Sequence, residues 1–129
     1  MTERKLTKIL LVDDQRDIRS IVGLALGKIG KFEVQVCSSG EEALAAAPGF
    51  GPDLLLVDMS MPVMDGVATL QGLRERGIEA PAIFFTARLK PADVESYREL
   101  GVLGVIPKPF DPLKLAAQVR EMWKEQPAP

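Results

Sequence analysis

The chain of 129 residues contains no histidine and a single cysteine, Cys37. Without histidine it lacks the commonest general base and the usual nitrogen ligand of zinc, so Ser-His-Asp, Cys-His and histidine–metal mechanisms are excluded. A lone cysteine cannot form an intramolecular disulfide, and Cys37 is expected to be a small buried hydrophobe at the end of a strand. Any metal bound here should be a hard cation held by oxygen.

Long apolar runs and a strong excess of either charge are also absent. The apolar segments are too short to span a bilayer, and residues 1–5 lack the apolar core of a secretion signal, so we expect a cytoplasmic protein without membrane insertion. Sixteen basic and 18 acidic residues give a net charge of −2. This balance argues against direct nucleic-acid binding. The length fits one domain, expected over residues 1–126, with a tail or the start of a linker at residues 127–129.

Strand-like apolar runs alternate with segments of helical period along the chain. This alternation predicts an α/β fold with a parallel sheet and crossover helices. Right-handed crossovers match a doubly wound, flavodoxin-like (βα)5 three-layer sandwich with strand order 2-1-3-4-5. The five strands are predicted at Ile9 to Val12, Phe32 to Cys37, Leu54 to Val57, Ala82 to Phe85 and Gly104 to Ile106.

The first two helices are predicted from apolar spacing and terminal residues. The first should run from about Gln15 to Lys28 and be ended by Gly30. Its apolar stripe is predicted to contain Ile18, Ile21, Val22, Ala25 and Ile29. The second should begin after Ser39 as the N-cap and be closed by Pro48-Gly49.

Three further helices are predicted in the second half of the chain. The third should run from about Gly66 to Arg76 and bury Val67, Leu70 and Leu73. The fourth should start near Pro91, carry Val94, Tyr97 and Leu100, and stop at Gly101. The fifth should start at Asp111-Pro112, an N-cap followed by proline, with an apolar stripe of Leu115, Val119, Met122 and Trp123.

Polar residues follow four of the predicted strands: Asp13 and Asp14, Asp58, Thr86, and Lys108. Because ligands bind at the carboxyl ends of the strands in open α/β sheets, these side chains are expected to converge. The first and third strands are predicted neighbours, which places Asp13 and Asp14 beside Asp58. Unless a cation intervenes, at least one of these carboxylates should keep its proton above the reference pKa of about 3.9. Mg²⁺ would relieve the repulsion, since it prefers a few carboxylates plus water and phosphate oxygens.

Such a site is suited to phosphoryl transfer, which needs a positioned nucleophile and neutralised phosphoryl oxygens. Asp58 is the candidate nucleophile and would form an aspartyl phosphate. Asp13 and Asp14 would hold the metal against one phosphoryl oxygen and Lys108 would pair with a second. The Thr86 hydroxyl and the backbone N–H of Ala87 could contact the remainder.

At these motifs the chain resembles the receiver domain of two-component response regulators, of the single-domain, chemotaxis-regulator type. The resemblance is carried by Val12-Asp13-Asp14, by Asp58 with Met61-Pro62-Val63-Met64-Asp65-Gly66, by Thr86-Ala87 and by Lys108-Pro109-Phe110. It implies a phosphorelay signalling switch that accepts a phosphoryl group on Asp58 from a sensor histidine kinase, a phosphotransfer protein or a small acyl phosphate. Catalysis would be limited to its own phosphorylation and slow dephosphorylation.

The resemblance also implies the metal site and the switch residues. Asp14 would bind Mg²⁺ directly and Asp13 largely through water, and the backbone carbonyl of Ser60 would complete the site. The Lys108–Pro109 peptide bond would be cis, which proline makes accessible. Receivers usually have an aromatic residue three positions before the lysine, where this chain has Val105. We therefore predict that Thr86 and the loop after the fourth strand carry most of the signal.

Residues beside Asp58 and Thr86 should flank the phosphoryl pocket. These are Met59 and Ser60 after Asp58, and Ala87 and Arg88 after Thr86. Arg88 either slows hydrolysis of the phosphoryl group or is simply solvated. Met59, Met61 and Met64 are interpreted as loop and core packing residues.

Several alternatives stay open. Asp13 or Asp14 could merely cap the first helix, and Tyr97 and Trp123 could be core residues or anchors for a downstream protein target. That target is expected at the face formed by the fourth helix, the fifth strand and the fifth helix. The chain could be a monomer or a phosphorylation-dependent homodimer, and it could work alone or within a longer protein. Competing functions are an aspartate-nucleophile phosphohydrolase, and a receiver-like interaction module that works without phosphorylation.

Overall fold

A computed structural model describes residues 5–86 and 98–125. In this part of the chain a five-stranded parallel sheet has the order β2-β1-β3-β4-β5. The strands are β1 Lys8–Val12, β2 Glu33–Cys37, β3 Leu54–Asp58, β4 Ala82–Thr86 and β5 Val102–Pro107. The helices are α1 Arg16–Leu24, α2 Gly40–Phe50, α3 Gly66–Glu75 and α4 Pro112–Lys124, the last being the fifth helix of the sequence prediction. The predicted fold class and strand order are confirmed.

Some predictions fall on residues 87–97 or 126–129, outside the described residues. They are the fourth predicted helix with Pro91, Val94 and Tyr97, the pocket residues Ala87 and Arg88, and the tail at residues 127–129.

The sheet separates two apolar cores, because successive side chains of each strand point to opposite faces. One core contains Leu10, Leu55 and Phe84 and is covered by α2 and α3. The other contains Leu11, Leu56 and Phe85 and is covered by α1 and α4. The central strands β3 and β4 are buried at every residue. Burial on both faces holds the strands in register. Because the strands are parallel, their carboxyl ends lie at one edge of the sheet.

The first helix departs from its predicted form. The α-helical part ends at Leu24 and is followed by a π-helical segment, Ala25–Ile29, before Gly30. The wider π turn changes the angular spacing from the 3.6-residue period, so Leu26 is buried and Ile29 is 52% exposed. Ile21 is 42% exposed at the edge of the stripe. The predicted inward positions of Ile21 and Ile29 are therefore wrong.

The predicted end of the second helix is also wrong. The helix α2 continues through Pro48 to Phe50, and Gly51 ends it in the left-handed conformation with its N–H bonded to the Ala47 carbonyl. Proline removes only its own N–H bond, and in the last turn this loss does not stop the helix. The predicted N-cap was correct, since the Ser39 hydroxyl accepts the N–H of Glu42.

The strand β5 begins two residues earlier than predicted. Its register with β4 shifts after the pair Ala82 and Val102, so that Ile83 pairs with Gly104. The extra residue, Leu103, is a bulge in the ladder, and the sequence contains no simple signal for it.

The burial of two side chains, Cys37 and Trp123, can be compared with their sequence interpretation. Cys37 is fully buried, and burial followed by the charge of Glu42 raises the pKa of its thiol to about 11. It is therefore a protonated, apolar side chain. Trp123 is 8% exposed and belongs to the core under α1 and α4, which favours the core alternative. None of the helices in the described ranges is long and apolar enough to cross a membrane.

Candidate functional site

Three carboxylates meet at the carboxyl edge of the sheet. Asp58 is the last residue of β3, and Asp13 and Asp14 directly follow the neighbouring strand β1. Asp13 and Asp58 are buried, with 0% and 3% exposure, and Asp14 is exposed. One ligand atom from each residue lies within 4.8 Å of the others. The site therefore has two carboxylates embedded in the protein and a third open to solvent.

The ammonium group of Lys108 lies against the two buried carboxylates. The Nζ atom of Lys108 is 3.1 Å from Asp13 Oδ2 and 3.3 Å from Asp58 Oδ1. Lys108 follows β5 in sequence, so its side chain spans from the far side of β4 to reach both acids. Within the described residues, this cation is shared by two carboxylates, so it balances only part of their charge.

The pKa of Asp58 is raised from 3.8 to about 6. The main cause is burial of the carboxyl group, and the second is repulsion by Asp13. The charge of Lys108 and the backbone N–H of Ser60 oppose the rise but do not cancel it. The expectation that one of these carboxyl groups has an elevated pKa is confirmed.

The loop after Asp58 is built by close backbone packing and a helix cap. The Ser60 N–H donates to Asp58 Oδ1 at 3.3 Å, and the Asp65 carboxylate caps α3 by accepting the N–H of Ala68 at 2.8 Å. A Cβ atom on Gly66 would lie 2.6 Å from the Asp58 carbonyl oxygen, so only glycine allows α3 to start this close to β3. Met61, 8% exposed, anchors the loop in the core on that side.

The loop that carries Lys108 is fixed at both ends. The Lys108 N–H donates to the Thr86 carbonyl at 2.8 Å. The following peptide bond, Lys108–Pro109, is cis, as the resemblance implied. Two residues after the lysine, the Phe110 ring stacks on Phe85 of β4 with centroids 5.3 Å apart. The hydrogen bond and the ring stack hold the loop that carries Lys108 against β4.

Within the described residues, four hydrogen bonds hold Asp13. Its N–H donates to the Cys37 carbonyl at 3.1 Å, and its Oδ1 accepts the N–H of Gln15 at 2.9 Å. Its Oδ2 accepts from Lys108, and its backbone carbonyl accepts from the Arg19 guanidinium at 2.9 Å. The N-cap of α1 is Gln15, without a side-chain cap, so the alternative that Asp13 or Asp14 caps this helix is wrong.

Four more of the predicted site residues lie in the described part of the chain. Thr86 is 4% exposed at the end of β4, next to Lys108. Val105 is half-buried and pairs with Phe84 across the sheet. Met59 is half-buried and packs on the core, whereas Ser60 is exposed.

Sequence reasoning missed the contacts of Arg19 and Phe110. A usable signal for Arg19 was its place in the second turn of the helix that follows Asp14, because helical side chains lean toward the N-terminus. No sequence signal paired Phe110 with Phe85, since their contact depends on the register of β4 and β5.

The family model for the response regulator receiver domain matches residues 9–120. This chain belongs to that family. The matched range includes both buried acids, the exposed acid and the lysine described above. A receiver is a signalling domain of two-component response regulators. Membership of this family supports a function as a phosphorylation-activated switch.

Similar receivers occur in longer proteins and alone. The chain is 40% identical to the transcriptional regulatory protein CpxR of Klebsiella pneumoniae over 126 residues, which are 94% of this chain and 53% of that protein. It is 38% identical to the probable transcriptional regulator ycf27 of Cyanophora paradoxa over 95% of this chain and 50% of that protein. The chain thus spans about half the length of these curated relatives. The structure of Vibrio cholerae chemotaxis protein CheY4 has a TM-score of 0.83 and 30% identity, with 92% of this receiver and 99% of that chain covered.

The three carboxylates of the receiver fit a hard divalent cation. All the candidate ligand atoms are oxygens, and they lie close enough to share one ion. Asp14 is open to solvent, so the ion could keep several waters, as Mg²⁺ usually does in proteins. The donor set is therefore suited to the Mg²⁺ that the family typically binds.

Proposed function

We propose that this receiver is a switch controlled by phosphorylation of Asp58 in a Mg²⁺-dependent reaction. A carboxylate oxygen of Asp58 attacks the phosphorus atom of the donor, and a new P–O bond forms. The bond from phosphorus to the donor atom breaks, and its electron pair stays with that donor. The donor is a phosphohistidine of a sensor kinase or phosphotransfer protein, or a small acyl phosphate.

The observation that carries this proposal is the position of Lys108 between two buried acids. Its ammonium group is 3.3 Å from Asp58, and we expect it to pair with the charge that develops on a phosphoryl oxygen there. It already neutralises part of the charge of Asp13, at 3.1 Å. In the phosphorylated protein Lys108 would exchange the carboxylate of Asp58 for a phosphoryl oxygen.

The other site residues would have distinct roles. Asp13, Asp14 and the Ser60 carbonyl would hold Mg²⁺, which when bound neutralises charge on the moving phosphoryl group. Met59, Ala87 and Arg88 would flank the pocket and control the approach of water.

The change in protein-binding properties would start at Thr86. Its hydroxyl would turn toward the phosphoryl group, and the change would pass to β5 and the neighbouring helices. Val105 occupies the aromatic position of the family, and its short side chain has no ring to rotate. A downstream protein would bind the face that includes β5 and α4. We further propose that the receiver works either alone or, like the curated relatives of about twice its length, as part of a longer protein.

The proposal is tested by incubating the protein with acetyl phosphate and Mg²⁺ and measuring the intact mass. One phosphoryl adduct is expected, and it should disappear with Asp58→Asn and with EDTA. Asp17→Asn is a matched control, because Asp17 is an exposed acid in the first turn of α1. Failure of the wild-type protein to form an adduct with acetyl phosphate or with any phosphohistidine donor would favour the phosphorylation-independent alternative. Steady release of phosphate from simple esters would favour the phosphohydrolase.

A further inference from the structure

Arg19 extends from the second turn of α1 to the loop that carries two of the three acids. Its guanidinium donates to the backbone carbonyl of Asp13 at 2.9 Å. This carbonyl belongs to the peptide bond that joins Asp13 to Asp14. The side chain of Arg19 is half-buried, so the hydrogen bond is partly protected from water.

The plane of this peptide bond sets ψ of Asp13 and φ of Asp14, and so affects how the two side chains are placed relative to each other. The peptide unit is rigid, and a rotation about the line between its two Cα atoms changes the direction of the bonds on either side. The Asp13 carboxylate is additionally held by the N–H of Gln15 and by Lys108. The exposed Asp14 depends more strongly on the peptide plane for its direction. The hydrogen bond from Arg19 to the Asp13 carbonyl oxygen restricts the orientation of that plane.

We infer that Arg19 is a positioning residue for the metal site: by fixing the Asp13–Asp14 peptide it keeps these carboxylates directed at Asp58 and so raises the affinity for Mg²⁺. The inference rests on the proposed function, since it concerns the Mg²⁺ of that site. Mg²⁺ requires near-ideal octahedral geometry, which makes its affinity sensitive to small changes in ligand direction. Partners that orient metal ligands typically contribute 10–100-fold to affinity.

Electrostatics alone predicts the opposite sign. A guanidinium near three carboxylates repels a divalent cation, so its removal should strengthen Mg²⁺ binding if charge were its only effect. Arg16, an exposed cation one turn earlier on α1, provides the matched control for loss of charge. The direction of the change in affinity therefore separates positioning from charge.

The experiment measures Mg²⁺ binding to the unphosphorylated protein by calorimetric titration. Arg19→Met should lower the affinity on the order of tenfold, whereas Arg16→Met should leave it unchanged or raise it slightly. Arg19→Lys, which keeps the charge and one donor, should recover part of the loss. An affinity of Arg19→Met equal to or above that of the wild type would overturn the inference.

Two further readouts separate positioning from damage to the fold. The rate of phosphorylation by acetyl phosphate should need more Mg²⁺ for half-saturation in Arg19→Met but reach the wild-type value at saturation. A reduced rate at saturating Mg²⁺ would indicate general damage and count against the inference. If Arg19→Met does not fold, Arg19→Lys is compared with Arg16→Lys, and equal Mg²⁺ affinities overturn the inference. A wild-type protein that binds no Mg²⁺ would overturn the inference together with the metal dependence of the proposed function.

Discussion

The ammonium group of Lys108 lies 3.3 Å from a carboxylate oxygen of Asp58, yet the pKa of Asp58 remains raised to about 6. Lys108 is also 3.1 Å from Asp13, so its charge is divided between two acids. Burial and the charge of Asp13 therefore outweigh the effect of Lys108 on the pKa of Asp58. A divalent metal ion at this site would reduce the repulsion between the acids and favour the ionised form of Asp58.

The first prediction concerns stability as a function of pH. Because the pKa of Asp58 rises from 3.8 to about 6 on folding, its ionisation destabilises the folded protein. The cost is absent at pH values below the unfolded pKa and is complete above the folded pKa. In EDTA, Asp58→Asn should be more stable than the wild type at pH 7, by at most about 3 kcal/mol for a shift of roughly two units. The difference should vanish near the unfolded pKa of 3.8.

Urea unfolding of both proteins at pH 7 and near pH 4 measures this difference. Asp17→Asn, an exposed substitution of the same kind, should change little between the two pH values. A stabilisation by Asp58→Asn that is equally large at both would show that the ionisation of Asp58 is not its cause.

The second prediction concerns the signal from Thr86. Thr86→Ala should still accept a phosphoryl group from acetyl phosphate, although more slowly, because the hydroxyl is one of several groups around the phosphoryl oxygens. The backbone carbonyl of Thr86 accepts the N–H of Lys108, the residue that follows β5, at 2.8 Å. We expect that Thr86→Ala loses most of the phosphorylation-dependent change in the amide resonances of residues 102–106, whereas Thr86→Ser retains it. Unchanged resonance shifts in fully phosphorylated Thr86→Ala would contradict a signal that starts at this hydroxyl.

The sequence predicted the strand order and the positions of the acids because both depend on simple patterns. Buried strands are continuous apolar runs, and residues after parallel strands share one edge. The end of α2 was wrongly predicted at Pro48, because a proline in the last turn does not stop the helix there. The π-helical segment after Leu24 packs on α4, a tertiary contact that the local apolar pattern does not contain. The contact of Arg19 with Asp13 follows the direction in which helical side chains lean, but the carbonyl that it reaches depends on side-chain conformation.

The third prediction concerns the aromatic contact that supports the lysine loop. Phe110 is half-buried and stacks on Phe85 at 5.3 Å, two residues after Lys108. Phe110→Ala should cost about 1–3 kcal/mol, less than for a fully buried ring. It should also lower the rate of phosphorylation at saturating Mg²⁺, because the lysine loses a support on its loop. Urea unfolding and intact-mass kinetics measure the two effects.

Phe50→Ala is the control for this prediction. Phe50 is also half-buried, but it ends α2 and packs on the other core, at the edge of the sheet where Lys8 begins β1. We expect a similar loss of stability and an unchanged rate of phosphorylation in the folded protein. Equal rates in Phe110→Ala and Phe50→Ala would show that the stack contributes stability only.

The last prediction concerns the close approach of α3 to the backbone of Asp58. A Cβ atom at Gly66 would lie 2.6 Å from the Asp58 carbonyl oxygen and 2.8 Å from Met59 Cα. Both are backbone atoms, so the strand end or the helix must move, at a cost of about 1–3 kcal/mol. This cost should exceed the gain of roughly 1 kcal/mol that alanine brings within a helix. The Asp58 carboxylate would move with its backbone, and Gly66→Ala should therefore be both less stable and slower to accept a phosphoryl group.

Gly49→Ala separates these effects from the general exchange of glycine for alanine. Gly49 lies in α2, and a Cβ atom there has no neighbour within 4 Å outside its own helix and adjoining residues. Its substitution should stabilise the protein by about 0.5–1 kcal/mol and leave the acetyl phosphate reaction unchanged. If Gly66→Ala gave the same gain in urea unfolding as Gly49→Ala, the approach of α3 to Asp58 would not require glycine. The β3 end would then have enough freedom to move without displacing its carboxylate.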